Sequence, residues 1–495
     1  MENSLTGRVA KGISWTGAAQ VSDYLVTLAS LSILAHLLSP ADFGAQAAAS
    51  VVVGVALMVS DLGLGSALIQ SPALRRADVR RATLVCVCSG LALSGLALAL
   101  SPWISRAFQG AEQVRALLRV LSLCALLHPT GAIPRALMTR GMDFRRLALI
   151  DAGAALASAM TAVSLALHGA GAHSLAWGYV VRVAVSSGLA WAVGDRESKK
   201  LGPSGGEEGT LTPAGGDGIG SLLRFGLPAT GAGLLNYLSA SVDYLLVGRY
   251  LGPTALGLYY LAYQLVSLAH FKGVSVLLRV LLPAFAALQG DLDRLRRGYL
   301  RAVRGIALFA FPILALLCAL SREIVIVLYG PGKEPAILLV QILCVLGTAK
   351  AVGGAVGPIF LARGRADIAL LWNLFALTTT TVAVAAGLPF GVEGVAMAVS
   401  LNALLLLGVS EGIVHRLVPL GFPAYLAALT PALLAASVSG MATGYGMAFV
   451  RAGISPVAAM IPGAAFGAAL YLVLIWAIDR KALSEVAAFL RAWRG

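Results

Sequence analysis

Apolar runs long enough to cross a bilayer recur along the whole chain, separated by short polar or Pro/Gly turns. A membrane helix needs about 20 predominantly apolar residues. Such stretches run from Ser14 to His36, Phe43 to Ile69, Ala82 to Trp103, Leu117 to Met138, Leu147 to His168 and Ala172 to Val193. After an interruption they resume at Leu222 to Gly248, Thr254 to Ala284, Gly305 to Leu320, Ala336 to Leu361, Ile368 to Leu388, Val392 to Val414, Pro423 to Gly444 and Ile454 to Ile478. The pattern predicts an all-α polytopic membrane protein of about 14 transmembrane helices. The interruption reads GDRESKKLGPSGGEEGTLTPAGGDGIG, and its Gly, Pro, Ser and charge content marks a solvated linker. The expected organisation is a six-helix bundle over 1–193, a linker over 194–220, a second six-helix bundle over 221–416, and two further helices with a tail over 417–495.

Composition agrees. The 495 residues are 58% apolar and 12% charged, too little charge to clothe a water-soluble surface of this size. The 37 Lys and Arg against 23 Asp and Glu leave a formal +14, and position accounts for most of it. With the N-terminus inside, inner loops collect clusters such as Arg75, Arg76, Arg80 and Arg81, or Arg294, Arg296, Arg297, Arg301 and Arg304, while outer loops hold only Arg106, Arg115, Arg249, Arg322, Lys333 and Arg451. About two dozen cations inside against about six outside is a positive-inside bias that places both termini in the cytoplasm. The basic excess is therefore topology, not a nucleic-acid footprint.

The halves resemble each other. HLLSPADFG at His36 to Gly44 aligns without gaps on RYLGPTALG at Arg249 to Gly257, and the same offset sets Asp23 on Asn236 and Ser30 on Asp243. Six helices per half give the repeats one membrane orientation, related by an axis along the membrane normal.

Polar residues inside spans carry the functional expectation, since ionisable groups at bilayer depth face a bundle interior or a wet cavity. Thr16, Gln20, Asp23, Thr27 and Ser30 fall on one face of the first helix, and Thr230, Asn236 and Asp243 mark the seventh. Lys272, Ser275 and Arg279 share a face of the eighth. Arg182 and Lys350 lie near mid-helix, whereas Arg119, Arg135 and Arg224 lie close enough to helix ends to snorkel. Asp61, Asp151, Glu393 and Glu411 lie toward helix ends, where cap or interface roles are expected. The cavity candidates are thus Lys272, Arg279, Arg182, Lys350, Asn236 and Gln20, with Asp23 and Asp243 as candidate sites for a coupling proton or Na+, or as structural partners of the cations. The five cysteines sit in apolar runs without metal or redox spacing, and the six histidines are scattered. No Walker loop, dinucleotide fingerprint, zinc-protease motif or nucleophile motif occurs. An ATP-driven pump, a hydrolase, a resident metal and a cofactor are not expected.

LAHLLSPADFG at Leu34 to Gly44, DLGLGSALIQ at Asp61 to Gln70, VDYLLVGRYLG at Val242 to Gly252 and GPIFLARGR at Gly357 to Arg365 resemble the polysaccharide-transporter, or Wzx-type, branch of the MOP flippase superfamily. The likeness is greatest to its colanic-acid-exporter-like subgroup. It implies a MOP/MATE-like architecture of two bundles around a central cavity built from helices one, two, seven and eight. It also implies a flippase rather than an enzyme, working in the bacterial cytoplasmic membrane by alternating access. The implied cargo is an undecaprenyl-pyrophosphate-linked oligosaccharide, moved outward for surface polysaccharide synthesis, with a polymerase and glycosyltransferases as functional partners. The chain departs from the branch at His36, where an Arg is common. Other readings are a lipid II flippase, a multidrug cation antiporter with an acidic pocket, and a membrane scaffold without transport.

Overall fold

A computed structural model describes residues 20, 22–70, 76–200, 218–450 and 455–480. These residues are helical almost throughout, and no strand occurs among them. The helices are α1 (Ser22–Leu37), α2 (Pro40–Ser60), α3 (Leu64–Gln70), α4 (Arg76–Ser105), α5 (Ala111–Arg140), α6 (Phe144–Leu167), α7 (Ala172–Lys200), α8 (Gly218–Tyr250) and α9 (Gly252–Ala287). They continue with α10 (Leu292–Ala319), α11 (Ser321–Tyr329), α12 (Pro335–Gly353), α13 (Val356–Ala362), α14 (Ala366–Gly387), α15 (Gly391–Leu417), α16 (Phe422–Val450) and α17 (Pro456–Ile478). Each of the apolar stretches in the sequence falls, where it is described, on one of these helices or on a pair split by a turn; residues 14–19 and 21 of the first stretch and 454 of the last lie outside the described residues. Ten stretches among the described residues are long and apolar enough to cross a membrane. Two compact units result, residues 1–257 and 258–495.

In the first unit, α2 begins with a capping box in which the Ser39 N–H donates to Asp42 Oδ2 and the Asp42 N–H donates to Ser39 Oγ, with Pro40 in the first turn. Asp42 also serves as a junction, because its other oxygen accepts from Gln113 Nε2 at 3.1 Å and from the Ala172 N–H at 3.1 Å. One carboxylate thereby fixes the starts of α2, α5 and α7 against each other. The predicted span Phe43 to Ile69 is not one continuous helix. Asp61 Oδ1 accepts from the Gly63 N–H at 3.1 Å, Leu62 and Gly63 take positive φ of 49° and 68°, and the chain restarts as α3. Gly63 there faces Gly226 of α8 so closely that a side chain on either would strike the other's backbone or its neighbour's. α5 carries Pro129 and Pro134 internally, each removing a rung of the helical ladder, and it packs against α2, α4 and α7, with α6 lying along α7.

The second unit is organised on α10, whose Leu295, Tyr299, Val303, Ile306 and Ala310 are buried in one continuous apolar core. α16 lies along α10 and α17 along α16, so Ala432, Ala435, Ala436, Tyr471 and Ile475 belong to the same core. Buried hydroxyls find backbone acceptors, as in Tyr471 Oη to the Leu308 carbonyl and Tyr329 Oη to the Leu261 carbonyl, both 2.9 Å. Arg304 pairs with Asp479 at the end of α17. The hairpin of α14 and α15 is closed by a short 3-10 turn and crossed by Asn402 Nδ2 donating to Thr380 Oγ1 at 3.1 Å. The outward faces of both units are apolar, with Met160, Leu371 and Phe449 among the large exposed side chains. Hydrocarbon, not water, is the solvent for such faces.

Candidate functional site

The first unit contains a charged pocket of about 220 Å³ between α5, α6 and α7. Helical spacing builds it. His128, Ala132 and Arg135 are four and three residues apart on α5, and Tyr179, Arg182 and Ser186 are three and four apart on α7, so each helix turns one polar stripe inward. α6 adds Asp151. Arg135 Nη2 pairs with Asp151 Oδ1 at 2.8 Å, and its Nη1 donates to Ser186 Oγ at 2.9 Å. Arg182 Nη2 donates to Asp23 Oδ1 of α1 at 2.6 Å. These are charge-assisted contacts of the strong kind. The Arg182 side chain is 38% exposed while Asp23 is 15% exposed, so the guanidinium borders the open space and its carboxylate stands behind it. The Nδ1 of His128, a lining residue, is buried without a hydrogen-bonding partner. Formal charges in this constellation cancel, two guanidiniums against two carboxylates.

Of the residues singled out from sequence, Asp23 and Arg182 meet in this site. Gln20 lies one turn from Asp23 with its Oε1 buried and unpartnered. Asn236 is exposed on α8, whereas Asp243 is buried at 4% exposure and accepts from the Tyr244 N–H at 2.9 Å. Lys350 belongs to the second unit, where its Nζ donates to the Tyr263 hydroxyl at 2.7 Å and stands 5.3 Å from the ring centroid. Lys272 and Arg279 lie on α9, and their side chains fall outside the described residues.

Three expectations from sequence change. Arg135 does not snorkel, because Asp151 and Ser186 hold it inside the unit. Asp151 is accordingly a pocket residue and not a cap; the seven-residue spacing of His128 and Arg135 was the available signal. Glu411, expected in an interface role near a helix end, is 2% exposed in the core of the second unit, where it accepts from the Tyr299 hydroxyl at 2.7 Å. No group of His, Cys, Asp and Glu suited to a metal ion occurs among the described residues.

The helices and this polar interior define a multi-pass membrane protein, and its fold is similar to those of solved transporters, among them a multidrug resistance MATE family transporter of the MOP superfamily with a TM-score of 0.61 at 17% identity, over 81% of this chain and 98% of that one. A lipid II flippase, MurJ, in an inward closed conformation superposes with a TM-score of 0.75 at 13% identity, over 94% of this chain and 99% of that one. The profile of the polysaccharide biosynthesis proteins matches residues 33–336, and the chain belongs to that family. It is 27% identical over 385 residues to the lipopolysaccharide biosynthesis protein WzxC of Escherichia coli (strain K12), covering 75% of this chain and 73% of that protein. It is also 25% identical over 488 residues to the succinoglycan biosynthesis transport protein ExoT of Rhizobium meliloti (strain 1021), covering 98% and 96%.

Proposed function

We propose that the protein is a flippase that carries an oligosaccharide linked to undecaprenyl pyrophosphate across the bacterial cytoplasmic membrane, by alternating access, for assembly of a surface polysaccharide. The observation that carries this reading is the match to polysaccharide biosynthesis proteins over most of the chain, joined to a transporter fold along nearly its full length. The physical task is clear. Sugar hydroxyls and a pyrophosphate lose their water in hydrocarbon, at a cost of several kcal/mol for each unsatisfied group, so a carrier must offer polar groups inside the membrane.

The charged pocket of the first unit supplies such groups, but not an uncompensated cation. Arg182 is already neutralised by Asp23, and Arg135 by Asp151. The pyrophosphate is therefore assigned to Lys272 and Arg279, whose spacing puts them on one face of α9, and the saccharide to neutral or charge-balanced groups. Asp23 and Asp243 remain the proposed sites for a coupling proton or Na+.

Deletion of the gene in its host tests the reading. Lipid-linked repeat units are expected to accumulate on the inner leaflet with loss of surface polysaccharide. A normal polysaccharide in a deletion strain without a paralogue overturns it. Complementation with Lys272→Ala or Arg279→Ala is expected to restore less polysaccharide than complementation with Arg75→Ala, an inner-loop control.

A further inference from the structure

We propose that the pocket between α5, α6 and α7 is a binding site for a single uncharged sugar ring, a saccharide subsite separate from whatever holds the phosphates. This rests on the flippase reading and specifies which part of the cargo the pocket takes.

Three features select the ligand. The first is charge. Each guanidinium already has a carboxylate partner at 2.6 or 2.8 Å, and a phosphoryl group would have to displace that carboxylate and then lie beside it. Like charges brought into contact repel, and the carboxylate would remain beside the phosphoryl oxygens. An uncharged ligand meets no such barrier. The second is hydrogen-bonding capacity. A sugar hydroxyl donates and accepts at once, and the pocket offers both partners within a few ångströms: guanidinium N–H groups of Arg135 and Arg182, carboxylate oxygens of Asp151, and the unpartnered Nδ1 of His128. Ions already paired can still serve hydroxyls, because each guanidinium has five donors and each carboxylate about four acceptor positions. The third is size and shape. A cavity of about 220 Å³ has the volume of about seven waters at roughly 30 Å³ each. That suits one pyranose ring. The partly exposed ring of Tyr179 borders the same space and supplies an apolar surface for the C–H face of a sugar.

A polar lining inside a membrane-protein unit fits a part-time occupant. With the ligand absent these groups are served by water, and a ligand that reproduces the water's hydrogen bonds displaces it at little enthalpic loss. A hydrocarbon-like ligand fails that requirement.

The test uses the full-length protein in lipid nanodiscs with Ala132→Cys as a reporter inside the pocket, labelled by a small thiol reagent. The probes are methyl glycosides of glucose, galactose, mannose and rhamnose, and inorganic pyrophosphate. At least one glycoside is expected to slow labelling, pyrophosphate to leave it unchanged, and Asp151→Asn to weaken protection by about tenfold, the loss of one hydrogen bond to a charged group. Met160→Cys, on the lipid-facing surface, is expected to label at a constant rate throughout. Should the reporter variant fail to fold, saturation-transfer NMR of the same probes on the wild type and on Asp151→Asn gives the same comparison. Absence of any glycoside effect, or protection by pyrophosphate, overturns the proposal. The deletion strain decides the parent reading separately: polysaccharide loss without glycoside protection removes the subsite alone, and glycoside protection without a polysaccharide phenotype removes the flippase.

Discussion

Gly44 and Gly257 face each other so closely that a Cβ on Gly44 would run into the carbonyl of Pro253, and a Cβ on Gly257 into the carbonyl of Pro40. The contact is reciprocal, and its members are the residues that align in the sequence repeat, Pro40 with Pro253 and Gly44 with Gly257. Two copies of one turn have thus packed on each other about a local two-fold relation, with hydrogen instead of a side chain at the crossing. Close backbone approach through small residues is how helices associate where lipid removes the hydrophobic drive.

Gly44→Ala or Gly257→Ala must therefore push α2 and the start of α9 apart. Overpacking of this kind costs about 1–3 kcal/mol, more where backbone is the obstacle. Both variants are expected to lower the melting temperature of the detergent-solubilised protein, whereas Gly95→Ala, on a part of α4 with open space around it, is expected to leave it unchanged. Equal melting temperatures for all three would show that the crossing relaxes without cost.

The Asp23–Arg182 pair supports a second expectation. Removing one partner leaves the other charge without its counterion, which is more damaging than removing both. Arg182→Met or Asp23→Asn alone is expected to destabilise by about 1–3 kcal/mol, a figure reduced for the partial exposure of Arg182. The double variant is expected to recover much of that loss. A thermal double-mutant cycle measures the coupling, and strictly additive losses would mean that the two side chains act independently.

The spans were legible because their signal is local: about twenty apolar residues and a turn read the same way in any membrane protein. The repeated turn is a sequence pattern of the same local kind, and two of its aligned residues, Gly44 and Gly257, lie in contact. Two features of the fold were not legible. The break at Leu62 and Gly63 hides inside an apolar run, and only the carboxylate of Asp61 reaching two residues forward reveals it. α11 is a nine-residue helix, too short to show periodicity. The pocket was half legible. Arg182 stood out by its depth in the helix, but its partner lies 159 residues away. Arg135 was read from its distance to a helix end, which measures the reach to water and says nothing of a carboxylate on the neighbouring helix.

At the start of α10, outside the membrane span, the N-cap Asp291 accepts from the Arg294 N–H at 3.0 Å. That backbone bond, ahead of the nearby Arg294 charge, holds its carboxyl below the usual carboxylate range. A depressed folded value means that the cap's contribution is present above the ordinary carboxylate value and is lost as pH falls through the lower folded one. The protection of amides 292–295 against hydrogen exchange, taken relative to the intrinsic rate at each pH, is expected to fall in acid in the wild type. Asp291→Asn, a cap without a titrating group, is expected to remove that acid dependence, and its persistence in the variant would place the effect elsewhere.

Glu411 poses the sharpest stability question. It is 2% exposed, its Oε1 accepts from the Tyr299 hydroxyl at 2.7 Å, and the Tyr425 hydroxyl stands beside the same carboxyl. No cation pairs with it among the described residues. Burying an unpaired carboxylate costs far more than burying a neutral polar group, so the tyrosine hydroxyls around Glu411 matter to its place in the core. Glu411→Gln keeps its shape and an acceptor for Tyr299, and is expected to be nearly neutral in thermal stability. Glu411→Ala removes the acceptor and opens a cavity, and is expected to destabilise by about 2–5 kcal/mol, as other large-to-small changes in cores do. Tyr299→Phe leaves Oε1 without its donor and is expected to cost about 1–3 kcal/mol. If Glu411→Gln were as damaging as Glu411→Ala, the second carboxyl oxygen, which Gln replaces with an NH2 group, would carry the stability and not the shape of the side chain.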